Sequence, residues 1–205
     1  MTEPFDLIAD RYDEAFTDRA GQLAAGQWLL DELPRPARVL DLGCGAGLPT
    51  VRQLTAGGLD VVGVDTSARM LDLARRNAPD ADYHRADLRA VPDGIGEVDA
   101  VAAFFALLML PRAEFVPTLA ALRSRLRGRR LLALGMVEGD LDDVPIDFLG
   151  VPVRVSALPA DQLADTVTAA GYRVLARHRQ TVRLGDTTET QLFVYAEAQN
   201  SSSSR

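Results

Sequence analysis

The stretch that most constrains this chain lies in its first quarter: Arg38-Val39-Leu40-Asp41-Leu42-Gly43-Cys44-Gly45-Ala46-Gly47. Val39, Leu40 and Leu42 make a short apolar run of the kind buried on both faces of a parallel sheet. Three alternate glycines then strip side chains from a segment where the backbone must turn sharply or let a ligand approach. A strand, a tight turn and a helix are predicted in that order. The spacing is GxGxG, with Leu48 where a dinucleotide-binding GxGxxG carries its third glycine. Asp41 precedes the first glycine by two positions. Pyrophosphate is anionic and favours bare amides at a helix N-terminus, so a carboxylate beside it is unfavourable. A ligand bearing an ammonium or sulfonium is attracted by the same carboxylate. An NAD(P)-dependent oxidoreductase is therefore the less favoured reading.

A second acid completes the pattern. Leu59-Asp60-Val61-Val62-Gly63-Val64-Asp65 is another apolar run closed by a carboxylate, about 20 residues past the turn. That distance suits the end of the second strand of a βαβ unit, where a carboxylate can accept both hydroxyls of an adenosine ribose.

With these residues the chain resembles the class I S-adenosylmethionine-dependent methyltransferases, while Phe104 to Pro111 and the segment Phe148-Leu149-Gly150-Val151-Pro152 resemble a bacterial subgroup acting on small molecules. The resemblance runs from about Phe5 to Ala198. It is carried by residues 39–47, by Gly63 to Leu71, by Ala86-Asp87-Leu88-Arg89 and by Asp99 to Phe105. It implies an α/β three-layer sandwich whose seven-stranded, mostly parallel sheet has the order 3-2-1-4-5-7-6, with strand 7 antiparallel. It implies S-adenosyl-L-methionine as cofactor. Asp41, Gly43, Cys44, Gly45 and Gly47 would hold the methionine part and Asp65 the ribose, with Thr66 beside it in the cofactor site and Met70 and Phe104 as apolar walls. Asp87 and the Leu88 amide would read the adenine edge. The resemblance further implies that Phe5 to Phe16 forms part of a lid from which Tyr12 reaches the active site. Members of the family often carry a histidine where this chain has Met109 or Ala157, and neither of these can move a proton.

Bulk properties narrow the partners. The 205 residues are the length of one domain, and the formal charge of −7 opposes general affinity for a phosphate backbone. No nucleic-acid partner is expected. Arg123, Arg125, Arg127, Arg129 and Arg130 cluster, but read as a helix end where cations complement the dipole. The longest apolar run, Ala100 to Leu110, is too short to span a bilayer, and the N-terminus lacks the pattern of a signal peptide. Cys44 is the one cysteine, so no internal disulfide can form, and a cytoplasmic location is expected. The single thiol is read as a small turn residue, since no histidine lies near it in sequence to activate it. No paired metal-ligand spacing is present. The sequence is silent on oligomeric state.

Along the chain, residues 1–198 read as one methyltransferase domain, with 1–33 as an N-terminal helical lid and 199–205 as a disordered tail. Helices are predicted near Phe5–Phe16, Gln22–Leu33 and Leu48–Ala56, with Thr66 or Ser67 capping the one that follows. Phe115, Leu119, Leu122 and Leu126 recur at helical spacing and predict a crossover helix. Strands are predicted at Val61–Val64, Asp82–Asp87, Val98–Phe105 and Leu131–Val137. Residues 138–157 read as a substrate-facing segment: a polar loop with isolated large apolar side chains from Glu138 to Gly150, then a short extended piece at Val151–Ser156. The runs Tyr172–Val182 and Gln191–Glu197 predict an antiparallel hairpin turning at Gly185-Asp186.

Methyl transfer from a sulfonium needs placement above all. An acceptor that begins protonated also needs a base. Tyr12, Glu138 and Asp147 are the candidates, and His84 and His178 are read as surface residues. The expected partner is a small-molecule methyl acceptor. A methyltransferase-like scaffold that binds the cofactor without methylating is the alternative.

Overall fold

A computed structural model describes residues 3–184 and 187–199. Two helices come first, α1 (Pro4–Ala15) and α2 (Ala20–Glu32). Then follow β1 (Arg38–Leu42), α3 (Thr50–Ala56), β2 (Asp60–Asp65), α4 (Ala68–Asn77), β3 (Asp82–Arg85) and β4 (Val98–Phe104). The second half holds α5 (Phe115–Arg123), β5 (Leu126–Val137), β6 (Leu141–Phe148), β7 (Val151–Ala157), α6 (Ala160–Ala169), β8 (Tyr172–Leu184) and β9 (Thr187–Ala198). Short 3-10 turns occupy Leu107–Met109 and Arg112–Glu114.

Seven strands form one sheet in the order β3-β2-β1-β4-β5-β9-β8, while β6 and β7 pair separately. With that separate pair set aside, the order is the predicted 3-2-1-4-5-7-6. β9 runs antiparallel to β5, with Gly135 opposite Phe193. The remaining pairs from β3 to β5 are parallel.

Alternation along the strands builds a core on each face. Leu40, Leu42, Val62, Val64, Val101 and Leu132 face α5 and α6, where Phe115, Leu119, Leu163 and Val167 are buried. Val39, Val61, Ala100, Ala102 and Leu131 face the other way, against Leu29 of α2, Leu33 just past its end, and Val51 and Leu54 of α3. Three layers result. Tyr172, fully buried at the start of β8, donates its hydroxyl to the Leu119 carbonyl at 3.0 Å and pins α5 to that edge. No described helix is long and apolar enough to cross a membrane.

Two predicted elements are corrected. The helix predicted through Leu126 ends at Arg123, and Leu126 instead opens β5 opposite Val98. Apolar spacing continues across the break, which is made by a turn in which Arg125 N–H bonds the Leu122 carbonyl. The arginines therefore cluster around the entry to β5 rather than a helix end. Arg125 pairs with Asp93 at 2.8 Å, and Arg129 pairs with Glu32.

The loop predicted from Glu138 to Gly150 instead holds strand β6, which pairs with the extended piece predicted at Val151–Ser156, now β7, in a hairpin. Val144, Ile146 and Phe148 alternate with Asp143, Pro145 and Asp147, a period of two that the acids disguise. Leu149 and Gly150 turn the chain with φ of 53° and 79°, the two positive values a tight hairpin requires. The predicted turn at Gly185-Asp186 lies outside the described residues, between strands paired from Leu184↔Thr187 to Tyr172↔Ala198. Of the predicted tail, Gln199 is anchored by its N–H on the Gly171 carbonyl at 3.0 Å, and residues 200–205 lie outside the described residues.

Candidate functional site

β1 runs into the glycine turn at the C-terminal end of the parallel strands, beside the point where the order reverses from β1 to β4. Open α/β sheets take up ligands at such a crevice. Gly43, Gly45 and Gly47 all have positive φ, at 70°, 52° and 77°. The Gly43 and Cys44 N–H groups donate to the Val64 carbonyl at 2.8 and 3.0 Å, which ties the turn to β2. A Cβ at Gly43 would lie 2.5 Å from the Ala106 Cβ, so that side is closed. A Cβ at Gly45 would meet nothing within 4 Å. The turn is therefore packed below and open where a ligand can lie against its backbone.

Asp41 lies beneath that opening. Its strand neighbours are Gly63 and Ala102, which leave room on either side. It is 3% exposed, and no hydrogen bond to its carboxyl is found among the described residues. Burial pushes its pKa up to about 7, and the nearby Asp65 adds to the shift. Burying a carboxylate without a partner is costly. A cationic group bound in the opening would offset that cost.

Asp65, at the end of β2, has its Oδ2 bonded by the Gly45 N–H and its Oδ1 by the Ser67 N–H, both at 2.9 Å. Burial raises its pKa, and these amide bonds oppose the rise. A carboxylate offers about four acceptor positions, which these amides do not exhaust. Thr66 presents its backbone here, with its carbonyl accepting from Arg85 Nε at 2.8 Å. Ser67 caps α4 by accepting the Met70 N–H at 3.0 Å. Met70 is 1% exposed and packs with Ala46 of the turn and Ala9 of α1.

Asp87 follows β3. Its Oδ1 accepts the Arg89 N–H at 2.8 Å and Nε–H at 2.9 Å, and its Oδ2 accepts Nη2 at 2.6 Å. The guanidinium holds the Asp87 carboxyl below the usual carboxylate range. The intervening Leu88 N–H takes part in no backbone–backbone hydrogen bond among the described residues.

Other predicted residues are less directly placed. Cys44 is buried with its Sγ against Gly63, and burial pushes its thiol pKa up, so it is inert packing. Phe104 is taken up by the core, 6.1 Å from Phe193. Phe105, with φ 59°, leaves the strand and meets Phe193 edge-on at 6.0 Å.

Of the proposed bases, Tyr12 alone packs with the group at the turn, alongside Met70 and Ala46. Glu138 is ion-paired with Arg179 at 2.7 Å. Asp147 accepts the Gly150 N–H at 2.8 Å and closes the β6–β7 hairpin from its exposed face. The structure does not bring the three together. His84 and His178 are exposed.

Residues the sequence reading passed over hold the upper wall. Asp6 of α1 accepts from Ser67 Oγ at 2.6 Å and from the Arg69 N–H at 3.1 Å, and Asp10 pairs with Arg69 at 2.6 Å. Phe148, at the hairpin tip, touches Phe5, Tyr12 and Phe16, stacking on Phe16 at 5.6 Å. Helix α1 thus rests on α4 and is clasped by the hairpin. The alternation leading to Phe148 was the one signal that could have found this clasp.

Residues 39–129 match the family model described as "Methyltransferase domain". The 27-O-demethylrifamycin SV methyltransferase of Amycolatopsis mediterranei is 34% identical over 145 residues, 68% of this chain and 47% of that protein. A protein of Synechocystis described as an uncharacterized methyltransferase, sll0829, is 35% identical over 97 residues, 47% of this chain and 45% of its own length. The chain matches less than half the length of either relative. The solved structure of the CcbJ methyltransferase from Streptomyces caelestis superposes with a TM-score of 0.73 at 20% identity, covering 97% of this chain and 99% of that one.

Proposed function

Residues 39–129 belong to the methyltransferase domain family and the chain has the class I methyltransferase fold; from these premises we propose that it binds S-adenosylmethionine and passes the methyl group to a small-molecule nucleophile. The observation that carries the reading is Asp41: a buried, unpartnered carboxyl under an open glycine turn, beside a second carboxylate with acceptor positions to spare. These residues fit the group. Asp41 would face the ammonium, Asp65 the ribose hydroxyls, and Asp87 with the Leu88 amide the adenine edge.

When bound, the cofactor supplies an electrophilic methyl on a sulfonium whose departure is neutral. The chain's task is then orientation. Holding two reacting groups in line supplies roughly 7 to 11 kcal/mol. The α1–hairpin clasp would screen the mouth from water, with Phe5, Tyr12, Phe16 and Phe148 forming an aromatic wall suited to a partly apolar acceptor. Tyr12 packs against Ala46 of the turn and Met70, whereas Glu138 and Asp147 are held away from it by Arg179 and Gly150, so we take Tyr12, acting as its phenolate, as the candidate to accept a proton. An acceptor that loses its proton unaided needs none. Soluble, cytoplasmic action on a metabolite is the setting this reading implies.

Calorimetric titration with S-adenosylhomocysteine and with NADH tests the cofactor: binding of the first alone is expected, and binding of NADH alone overturns it. Engagement of Glu138 by Arg179 and of Asp147 by Gly150 also favours a second reading, a cofactor-binding scaffold that methylates nothing. Mass spectrometry across a metabolite panel separates the two, with a 14-dalton gain expected for the transferase.

A further inference from the structure

Resting on the adenosyl site just described, we propose that Arg89 is a positioning residue that fixes the single free acceptor position of Asp87 and so makes the site discriminate 6-amino from 6-oxo purines. A carboxylate offers about four acceptor positions. Arg89 occupies three of those on Asp87, two through its side chain and one through its own N–H, at 2.6 to 2.9 Å. A guanidinium is a rigid planar fork, so it sets the plane of the carboxylate as well as holding it.

Arg89 is in turn anchored by Glu114 across the chain at 3.3 Å, in the turn that leads into α5. A segment after β3 and one after β4 thereby fix the Asp87 carboxylate. The remaining position on Oδ2 accepts one N–H. An exocyclic amine supplies it, whereas a keto oxygen at the same place meets a second acceptor and is repelled. The side chains of Arg89 and Asp87 are 52% and 38% exposed, and ion pairs at such exposure add little to folding. Removing Arg89 therefore leaves the protein intact for measurement.

The experiment titrates wild type, Arg89→Ala and Arg89→Lys with S-adenosylhomocysteine and with S-inosylhomocysteine, reading the ratio of dissociation constants. A hydrogen bond to a charged group predicts that wild type favours the adenosyl compound by about 10- to 100-fold. Arg89→Ala should bring that ratio below about 3-fold, and Arg89→Lys, a point charge without the fork, should not restore it. Equal weakening toward both compounds, with the ratio kept, would mean a merely structural role and overturn the proposal. Tighter binding of the adenosyl compound by Arg89→Ala would overturn it too, since Arg89 would then be a competitor. If wild type binds neither compound, the adenosyl site itself fails and the proposal with it; if only the ratio is unmoved, the site stands.

Discussion

Asp41→Asn separates what the site costs the fold from what it gives the ligand. Asp41 is raised to about 7 by burial first and by Asp65 second. A carboxyl raised in the folded chain keeps its proton where the unfolded chain has already lost it. Stability therefore falls as pH rises from about 4 to about 7, and is level on either side. The gap between about 7 folded and about 3.9 unfolded corresponds to about 4 kcal/mol above pH 7. At pH 5 only about 1.5 kcal/mol of that penalty has developed. Asparagine keeps the shape and carries no charge, so it should stabilise the protein by up to about 4 kcal/mol at pH 8 and by much less at pH 5.

Urea unfolding at the two pH values reads this directly. With a slope of about 2 to 3 kcal/mol per molar for a chain of this size, the midpoint should move up by about 1 to 2 M at pH 8. Affinity for S-adenosylhomocysteine should fall in the same variant by about 10- to 100-fold, because the ammonium loses a charged acceptor. A variant no more stable than wild type at pH 8, or an equal gain at both pH values, would refute the reasoning.

Gly47→Ala forces an L side chain to a φ of 77° with its Cβ 3.3 Å from Ala74. At about 1 to 2 kcal/mol for the left-handed conformation, the melting temperature should drop by about 3 to 8 °C, and an unchanged value would contradict the turn's geometry. Phe148→Ala removes the ring that clasps three aromatics; full burial of a phenylalanine is worth about 3 to 5 kcal/mol, so half that loss should speed tryptic cleavage at Arg11 by about 10-fold or more. Cleavage at the wild-type rate would mean α1 is held by α4 alone. The double variant His84→Ala, His178→Ala should keep turnover within about 3-fold, and a loss above about 100-fold with the cofactor still bound would reinstate a histidine base.

What the sequence disclosed was local chemistry. The run from Arg38 to Gly47 needs no distant partner to declare a strand and a turn, and Asp65 is marked by its distance from it. The β6–β7 hairpin was hidden because Asp142, Asp143 and Asp147 give it the composition of a loop, although Val144, Ile146 and Phe148 keep a strand's period. Leu126 was misassigned because helical spacing takes no account of a turn between Leu122 and Arg125. Glu138 looked available because its partner Arg179 is 41 residues away, brought near only by the register of β5, β9 and β8. The tie from Asp6 to Ser67 spans 61 residues and has no local signature at all.

That tie has a consequence for how spent nucleoside leaves. The one hydroxyl of Ser67 gives its proton to Asp6 and receives the Met70 amide, while the same residue's N–H steadies Asp65. Swinging α1 aside would break the first bond, loosen the start of α4 and unsettle Asp65, the carboxylate proposed to hold the ribose, in a single movement. Exit of product and relaxation of the hand that held it would then be one event, driven from the rim of the protein rather than from its centre.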